Sequence, residues 1–365
     1  MTIEIRCSNC KTPYPQEGAP FRCPKCGGLY DFSKPLLYQD SKIDPSKPGL
    51  WRYRHSFGLT DEATEVTLGE GNTPLEWREI FGRKIAFKLE YMNPTGSFKD
   101  RGTALLVSFL LSRGIYRAVE DSSGNAGASF AAYAAEAGLK ACVFVPAYAS
   151  GPKRSQIETY GAKIFEIDGK RSKATEAALD AAANGEVYAS HAFMPFGLPG
   201  MATTAYEIYD QIGSAPGAVI SPLGQGSLLL GVGRGFEALM SAGLIDKFPK
   251  LVGVQALACA PLWAVHMYGP SALNWVSEGE TLAEGVRTKN PLRGDTILEL
   301  INRREGDLVA VEEEEILPGR DELNKLGFSV EPTSAIVWNG FQQIIDELSD
   351  PIVVILTGAG YKSSI

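Results

Sequence analysis

The sequence contains no hydrophobic run long enough to cross a membrane. A long uncharged stretch, residues 215–233, is interrupted by Pro222 and several glycines, whereas a membrane helix needs about 20 consecutive apolar residues. Residues 1–10 also lack the basic and apolar regions of a secretory signal. We therefore expect a soluble, cytoplasmic protein without a membrane partner.

Positive charge is also scarce. Lysine and arginine number 35 against 43 acidic residues, for a formal net charge of −8, and they form no basic block. Such a chain has no general attraction for nucleic acid or an anionic surface, so we expect neither as a partner. An anionic ligand must then be bound by a local site. The length of 365 residues and the 44% hydrophobic content suffice for two domains.

Four of the six cysteines lie within the first thirty residues, as Cys7-x-x-Cys10 and Cys23-x-x-Cys26. Each pair can form a tight knuckle whose two thiolates face one tetrahedral Zn²⁺. Two disulfides and free thiols are the alternatives, and the lack of a secretion signal disfavours disulfides. Four thiolates leave no open coordination position. We therefore predict a structural zinc in a ribbon formed by residues 1–35.

The main body follows a connector of residues 36–67, which is rich in proline, lysine and aspartate. From residue 68 onward, helical stretches alternate with short apolar runs. The runs predict strands at residues 84–90, 118–121, 140–146, 163–168, 186–189, 218–220, 251–255 and 352–356. This alternation predicts an α/β fold with parallel sheets covered on both faces, and with ligands at the carboxyl ends of the strands.

The stretch Pro94–Gly102 carries the most specific chemistry. Its Pro-Thr-Gly-Ser turn places Lys99 at the start of the helix predicted from the apolar run at residues 104–111. Backbone N–H groups and the positive end of the helix dipole lower the pKa of an ammonium slightly and attract anions. That environment suits a nucleophilic lysine beside a phosphate. Taken alone, Lys99 is more simply explained as a solvated surface residue.

Two other turns lie between a predicted strand and a predicted helix. Residues 122–125 (SSGN) offer hydroxyls, an amide and backbone donors that could bind a carboxylate, although helix capping is their ordinary role. Residues 224–227 (GQGS) could hold a phosphate on backbone N–H groups. A glycine-rich turn serves helix–strand packing about as often, and this one matches neither the P-loop nor the dinucleotide motif.

The order of the runs PTGSFKDRG, SSGNAGASFAAYAA, GQGS and LTGAGYKS resembles that of the fold-type II pyridoxal-phosphate (PLP) enzymes, most closely the threonine synthases. The resemblance covers residues 68–362. It implies the two-domain, tryptophan synthase β-like fold. Residues 68–93 and 200–365 would form a large PLP-binding domain, and residues 94–199 a small inserted α/β domain. PLP would lie in the cleft between them, and the enzyme would be a homodimer.

The resemblance also implies roles for individual residues. Lys99 would form the Schiff base with PLP and then serve as the proton shuttle. Cofactor contacts are implied for Phe98, Asn125, Gly224, Gln225, Gly226, Ser227, Leu228 and Thr357. Asn125 would meet the 3′ oxygen and Thr357 the pyridine nitrogen. A neutral hydroxyl cannot hold that nitrogen protonated as a carboxylate would, so the ring is a milder electron sink, suited to elimination and replacement.

The implied reaction is the conversion of O-phosphohomoserine and water to threonine and phosphate, a step of amino-acid biosynthesis. The substrate carboxylate would lie against Ser122, Ser123 and Gly124, and the substrate phosphate would need a second anion site. Candidate cations for that site are Arg101, Lys153, Arg154 and His191. Arg101 fits a structural ion pair equally well. His191 stands where a threonine synthase is expected to have asparagine, and TGAGYKS differs from the usual TGHGLKD-like ending.

Two other hypotheses remain open at this stage. One keeps PLP but changes the small amino-acid substrate, as in a threonine or serine dehydratase or another enzyme of β-elimination or β-replacement. The other is a catalytically silent binding protein that uses the fold or its zinc ribbon to hold a partner. The combination of Lys99, Asn125 and Thr357 argues against the silent protein.

Overall fold

The computed structural model describes residues 4–363. Its first elements are two short antiparallel strands, β1 (Ile5–Cys7) and β2 (Tyr30–Phe32). Between them the chain makes two tight turns, in which the N–H of Lys11 donates to the carbonyl of Cys7 at 3.0 Å and that of Gly27 to Cys23 at 2.8 Å. These turns form the two cysteine knuckles of a ribbon.

The other strands belong to two sheets. In chain order they are β3 (Leu75–Ile80), β4 (Arg83–Lys88), β5 (Arg117–Glu120), β6 (Lys140–Pro146), β7 (Lys163–Ile167), β8 (Ala218–Pro222), β9 (Lys250–Ala256), β10 (Asp307–Val311) and β11 (Ile352–Ile355). The larger sheet has the order β10-β9-β8-β11-β4-β3, and the smaller one β5-β6-β7.

Helices cover both sheets. In chain order they are α1 (Lys99–Ser112), α2 (Asn125–Glu136), α3 (Pro152–Thr159), α4 (Arg171–Ala183), α5 (Leu198–Ile212), α6 (Ser227–Ser241), α7 (Pro261–Tyr268), α8 (Gly294–Arg303), α9 (Glu313–Lys325) and α10 (Pro332–Ile344). Within residues 4–363, no helix combines the length and the apolar character that a membrane span requires.

The predicted α/β architecture with parallel strands is confirmed, because β4 and β8–β11 pair in parallel in one sheet and β5–β7 in the other. Three details differ from the prediction. Strand β10 is not among the predicted strands. Strand β3, whose half-exposed Leu-Glu-Trp-Arg-Glu-Ile sequence gives no clear apolar run, pairs antiparallel with β4 at the sheet edge. The strand predicted at residues 186–189 is reduced to a single bridge between Tyr188 and Val119.

The ribbon is attached to the main body by a partly buried ion pair and by edge-to-face aromatic contacts. Asp31 of β2 accepts hydrogen bonds from both terminal nitrogens of Arg234 of α6, at 2.6 and 2.8 Å. The ring of Tyr14 lies edge-on to Phe109 of α1 and to Phe196, with centroid distances of 5.9 and 5.0 Å. Polar and apolar contacts therefore both dock the ribbon on the helices that surround the site.

Candidate active site

Lys99 is the first residue of α1, and the turn before it is closely packed. Gly96 has a φ of +81°, and a Cβ added there would lie 2.2 Å from the Tyr361 hydroxyl oxygen, so the position requires glycine. The carboxylate of Asp100 accepts hydrogen bonds from the backbone N–H and the hydroxyl of Thr95, at 2.7 and 2.6 Å. These contacts fix the direction in which the Lys99 side chain leaves the helix.

The Lys99 amine has little compensation for its burial. Its Nζ lies 3.0 Å from Nε2 of His191 and 4.7 Å from the centroid of the Phe98 ring. Burial lowers the pKa of Lys99 to about 8, even though the negative charges of Glu120 and Glu331 act to raise it. About a tenth of this amine is therefore uncharged at pH 7, far more than for an ordinary lysine, and the uncharged form is what a nucleophile or base requires.

Thr357 reaches the same place from the end of β11. Its carbonyl accepts a hydrogen bond from the N–H of Phe98 at 3.0 Å, and its own N–H donates to the hydroxyl of Ser334 at 2.8 Å. Its Oγ1 is buried and has no hydrogen-bond partner within residues 4–363. A buried hydroxyl without a partner is uncommon. Thr357 thus presents a free donor beside the turn of Lys99, as a ring nitrogen requires.

Asn125 is the first residue of α2 and points toward the C-terminal loop. Its Nδ2 donates to Oε1 of Glu331 at 2.7 Å, while its Oδ1 is buried and unpaired among the described residues. Glu331 also forms an ion pair with Lys153 at 2.8 Å and donates its backbone N–H to the carbonyl of Gly358 at 3.0 Å. Glu331 therefore ties α2, α3 and the loop after β11 together, and one polar atom of the amide remains available.

The glycine-rich turn at residues 224–228 lies at the same sheet edge, because β8 and β11 are parallel neighbours. Gly226 has a φ of +79°, and an added Cβ would lie 2.1 Å from Cδ1 of Ile297. At Gly224 an added Cβ would lie 2.6 Å from the carbonyl oxygen of Gly285. The turn leads into α6, whose first N–H groups have no partner inside the helix. Such a helix start suits a phosphate.

A model of the family described as pyridoxal-phosphate dependent enzyme matches residues 66–358. The chain belongs to this family. Threonine synthase of Methanosarcina acetivorans is 32% identical over 97% of this chain and 91% of its own. Threonine synthase of Mycobacterium tuberculosis (strain H37Rv) is 35% identical over 85% of this chain and 87% of its own. The resemblance predicted from the motifs is confirmed.

Solved structures of the same fold agree with this assignment. Maize serine racemase superposes with a TM-score of 0.68 at 22% identity, over 79% of this chain and 88% of that one. A threonine deaminase from T.th. superposes with a TM-score of 0.67 at 25% identity, over 80% of this chain and 94% of that one. The fold is therefore that of a fold-type II PLP enzyme.

The residues of the site fit the cofactor of this PLP enzyme family. The unpaired Thr357 hydroxyl, the free amide oxygen of Asn125 and the helix start after the glycine turn are groups that a bound PLP can use. Ser227 and Leu228 open α6, whereas the side chain of Gln225 accepts a hydrogen bond from the N–H of Leu292 at 3.1 Å. The Gln225 side chain therefore holds the turn in place.

The turn at residues 122–125 forms the opposite wall. The N–H of Ser122 donates to the Glu120 carboxyl, and its hydroxyl accepts a hydrogen bond from the N–H of Gly124 at 3.2 Å. All three candidate carboxylate-binding residues, Ser122, Ser123 and Gly124, are partly exposed immediately before Asn125. Their use for a substrate carboxylate remains a prediction.

Two of the four cations predicted to bind a substrate phosphate are occupied elsewhere. Arg101 is fully buried, and it donates to Glu90 at 2.6 Å and to Glu207 at 2.7 Å. This pairing favours the alternative of a structural ion pair over a role in substrate binding, which remains a prediction. Arg154 pairs with Glu158 at 3.1 Å and also with Glu166, which disfavours a substrate role, and its assignment remains a prediction.

The other two candidates lie in the site but carry little free positive charge. Lys153 forms its ion pair with Glu331. His191 has a pKa well below its ordinary value, because of burial and the nearby charge of Lys99. The imidazole is therefore neutral near pH 7, and it acts as a hydrogen-bonding group rather than as a cation.

Glu120 is a residue of the site that the motifs did not reveal. It ends β5, is buried, and faces Nδ1 of His191 from 3.4 Å. Burial and the charge of Asp121 raise the pKa of Glu120 to about 8. The available signal was an acidic residue at the end of an apolar strand, directly before the Ser-Ser-Gly-Asn turn.

Proposed function

We propose that this chain is a PLP-dependent lyase of the threonine synthase type, which converts O-phosphohomoserine and water to threonine and phosphate. The observation that carries the proposal is the Lys99 amine, with a pKa lowered to about 8, next to the loop that presents the unpaired Thr357 hydroxyl. Threonine synthases that match 85–98% of the chain support the substrate. Bound PLP supplies the electron sink that stabilises negative charge at the substrate Cα.

The residues of the chain would then divide the remaining work. The uncharged amine of Lys99 takes the proton from the substrate Cα and returns protons later in the reaction. The backbone at residues 224–228 holds the cofactor phosphate, while Asn125 and Thr357 orient the ring. Ser122, Ser123 and Gly124 bind the substrate carboxylate. A hydroxyl rather than a carboxylate at Thr357 keeps the ring nitrogen uncharged, which favours elimination over transamination.

A second candidate is β-elimination on a small hydroxy amino acid such as serine or threonine. The specific observation in its favour is that Arg101, Arg154 and Lys153 are each paired with carboxylates, and that His191 is neutral. A dianionic substrate phosphate needs unpaired donors or cations, whereas a hydroxyl leaving group does not. Within this arrangement, Lys153 would have to leave Glu331 before it could bind a substrate phosphate.

The two candidates differ in their products. We would incubate the PLP-loaded protein with O-phosphohomoserine and measure phosphate and threonine, and in parallel with serine and threonine and measure 2-oxo acid. Stoichiometric phosphate and threonine, lost in Lys99→Ala, would establish the first candidate. Formation of 2-oxo acid without phosphate release would establish the second. Neither product from a protein that carries PLP would reject both.

We also propose that the cysteine ribbon holds a structural zinc ion. The four Sγ atoms of Cys7, Cys10, Cys23 and Cys26 all lie within 4.8 Å of one another. Cys7 and Cys26 are 3.4 Å apart and Cys10 and Cys23 are 3.6 Å apart, far longer than a disulfide bond of about 2.05 Å. Distances of this size fit thiolates around one tetrahedral metal with bonds of about 2.3 Å.

The division into domains at residues 94 and 200, the homodimer and the cytoplasmic location remain predictions. The small sheet β5–β7 lies wholly inside residues 94–199, and the large sheet lies wholly outside them, which supports the division. Analytical ultracentrifugation would measure the oligomeric state directly.

A further inference from the structure

His191 lies between the reactive lysine and a buried carboxyl group. Its Nε2 is 3.0 Å from Nζ of Lys99, and its Nδ1 is 3.4 Å from Oε1 of Glu120. Both ring nitrogens therefore face a group that can gain or lose a proton. Such a chain of three titratable groups is the arrangement required for proton transfer through an imidazole.

The surroundings of Glu120 leave it free for this purpose. Its side chain is 2% exposed, and its other oxygen accepts the N–H of Ser122. The nearby guanidinium of Arg171 pairs instead with Asp121, at 3.1 Å. Asp121 receives a further hydrogen bond from Thr175 at 2.6 Å. The cation in this region thus stabilises Asp121 as a carboxylate and leaves Glu120 as the group that can accept a proton.

We propose that His191 and Glu120 form a proton relay that removes the proton from the Lys99 ammonium. The proton on Nζ passes to Nε2 of His191 while the proton on Nδ1 passes to the carboxylate of Glu120. The lysine becomes an uncharged amine, Glu120 becomes a carboxylic acid, and the imidazole exchanges one neutral tautomer for the other. No proton is gained or lost overall, and the reverse transfer restores the ammonium.

The electrostatics of the site agree with this assignment. Burial, assisted by Lys99 and by Arg171, keeps the pKa of His191 well below its ordinary value, while Asp121 opposes them only in part. The imidazole can therefore pass a proton from one ring nitrogen to the other while it remains neutral overall. Because burial brings the pKa of Lys99 and the pKa of Glu120 both to about 8, the two end states of the relay differ little in free energy.

The inference rests on one part of the proposed function, namely that Lys99 is the amine that attaches PLP. It is independent of the substrate. A lysine attacks an aldehyde only as the uncharged amine, so the rate at which PLP becomes attached to the cofactor-free protein reports on the relay. This rate is measured as the growth of visible absorbance, without any substrate turnover.

The test compares wild type, His191→Asn, Glu120→Gln and the double variant at pH 8, where about half of Glu120 is the carboxylate that accepts the proton and about half of Lys99 is the ammonium that gives it up. Asparagine can hydrogen-bond to both neighbours but cannot pass a proton between them. We expect each single variant to attach PLP about 10-fold to 100-fold more slowly, with the same final absorbance. The double variant should be no slower than the slower single variant, because both substitutions interrupt one relay.

Glu120→Gln separates the relay from a simple charge effect. The carboxylate of Glu120 raises the pKa of Lys99, so the loss of its charge alone would leave more uncharged amine and would speed attachment. The relay predicts slower attachment. Faster attachment in Glu120→Gln, wild-type rates in His191→Asn, or single effects that multiply in the double variant would each overturn the proposal.

The chain offers a matched control in its other histidine–carboxylate pair. His266 lies 3.4 Å from Asp307, and its side chain is 20% exposed, close to the 22% of His191. His266→Asn makes the same substitution far from Lys99 in sequence, and it should leave the rate of attachment unchanged. Thermal unfolding shows whether each variant folds. If His191→Asn does not fold, His191→Gln replaces it in the test. A wild type that fails to bind PLP rejects the proposed function and not the relay alone.

Discussion

Two cations stand two residues apart at the start of α1, and the protein treats them in opposite ways. Arg101 is fully buried and donates hydrogen bonds to two carboxylates, Glu90 and Glu207. Lys99 has a neutral imidazole as its nearest polar neighbour. The charges around Arg101 outweigh its burial and raise its pKa well above the ordinary value, whereas burial lowers the pKa of Lys99 to about 8.

The difference shows that pairing, more than burial, separates a structural charge from a reactive one. Around Arg101 the charges balance, because Lys88 also donates to Glu207 at 2.7 Å, which gives two cations for two carboxylates. Hydroxyls of Thr73 and Thr203 accept further guanidinium hydrogen bonds. This network joins β4, α1 and α5 and leaves no group free to react, while the Lys99 amine remains available.

The largest expected effect is that of removing the reactive cation. Lys99→Ala should reduce turnover by at least about 1,000-fold, because the residue is both the attachment point of the cofactor and the proton carrier. The visible absorbance of bound PLP should also be lost, while the thermal unfolding temperature changes little. Lys99→Arg keeps the charge and much of the volume and should be equally inactive. Activity retained by either variant would contradict the assignment of Lys99.

Next in size is the effect of breaking the structural network. Glu207→Gln leaves Arg101 and Lys88 with too little negative charge in a buried site, so the free energy of unfolding should fall by about 3–5 kcal/mol. Urea unfolding followed by fluorescence measures this loss.

The matched control for that substitution is an exposed ion pair of the same chemistry. Arg117 and Glu186 lie 2.7 Å apart, but the arginine side chain is 57% exposed. Arg117→Ala should change the free energy of unfolding by less than about 1 kcal/mol. Equal losses from Glu207→Gln and Arg117→Ala would show that burial of the Arg101 network does not matter to stability.

A smaller effect is expected from pH acting on the contrast between the two cations. With a pKa lowered to about 8, Lys99 is mainly charged at pH 7 and mainly uncharged at pH 9, so the rate of PLP attachment should rise by about tenfold between these values. Arg101 stays charged throughout, since its pKa is raised. Attachment rates that continue to rise steeply to pH 10 would indicate an ordinary, solvated lysine.

The sequence predicted the residues that stand in contiguous motifs, and it missed the contacts between residues that are far apart in the chain. Lys99, Asn125 and Thr357 stand in contiguous motifs at strand ends, so a resemblance could identify them. The fate of Arg101 depends on Glu207, 106 residues away. The contact between His191 and Glu120 likewise joins two positions 71 residues apart in the chain. The positions of most strands followed from apolar runs, but no local pattern determines which charged side chains meet after folding.

The smallest effect on the site is expected from the cysteine ribbon with its proposed zinc, since the ion pair and the ring contacts that attach the ribbon do not include Lys99. Cys10→Ser, or removal of metal by a chelator, should release about one zinc per chain and lower the unfolding temperature by a few degrees, because the ribbon contributes folding free energy when metal binds. Turnover should change less than twofold, since the ribbon's contacts within residues 4–363 include Arg234, Phe109, Phe193 and Phe196 but not Lys99. Zinc content and turnover measured on one sample would decide the point. Loss of PLP absorbance together with zinc would mean that the ribbon positions α1 through Phe109, and the reactive and structural regions would then be coupled.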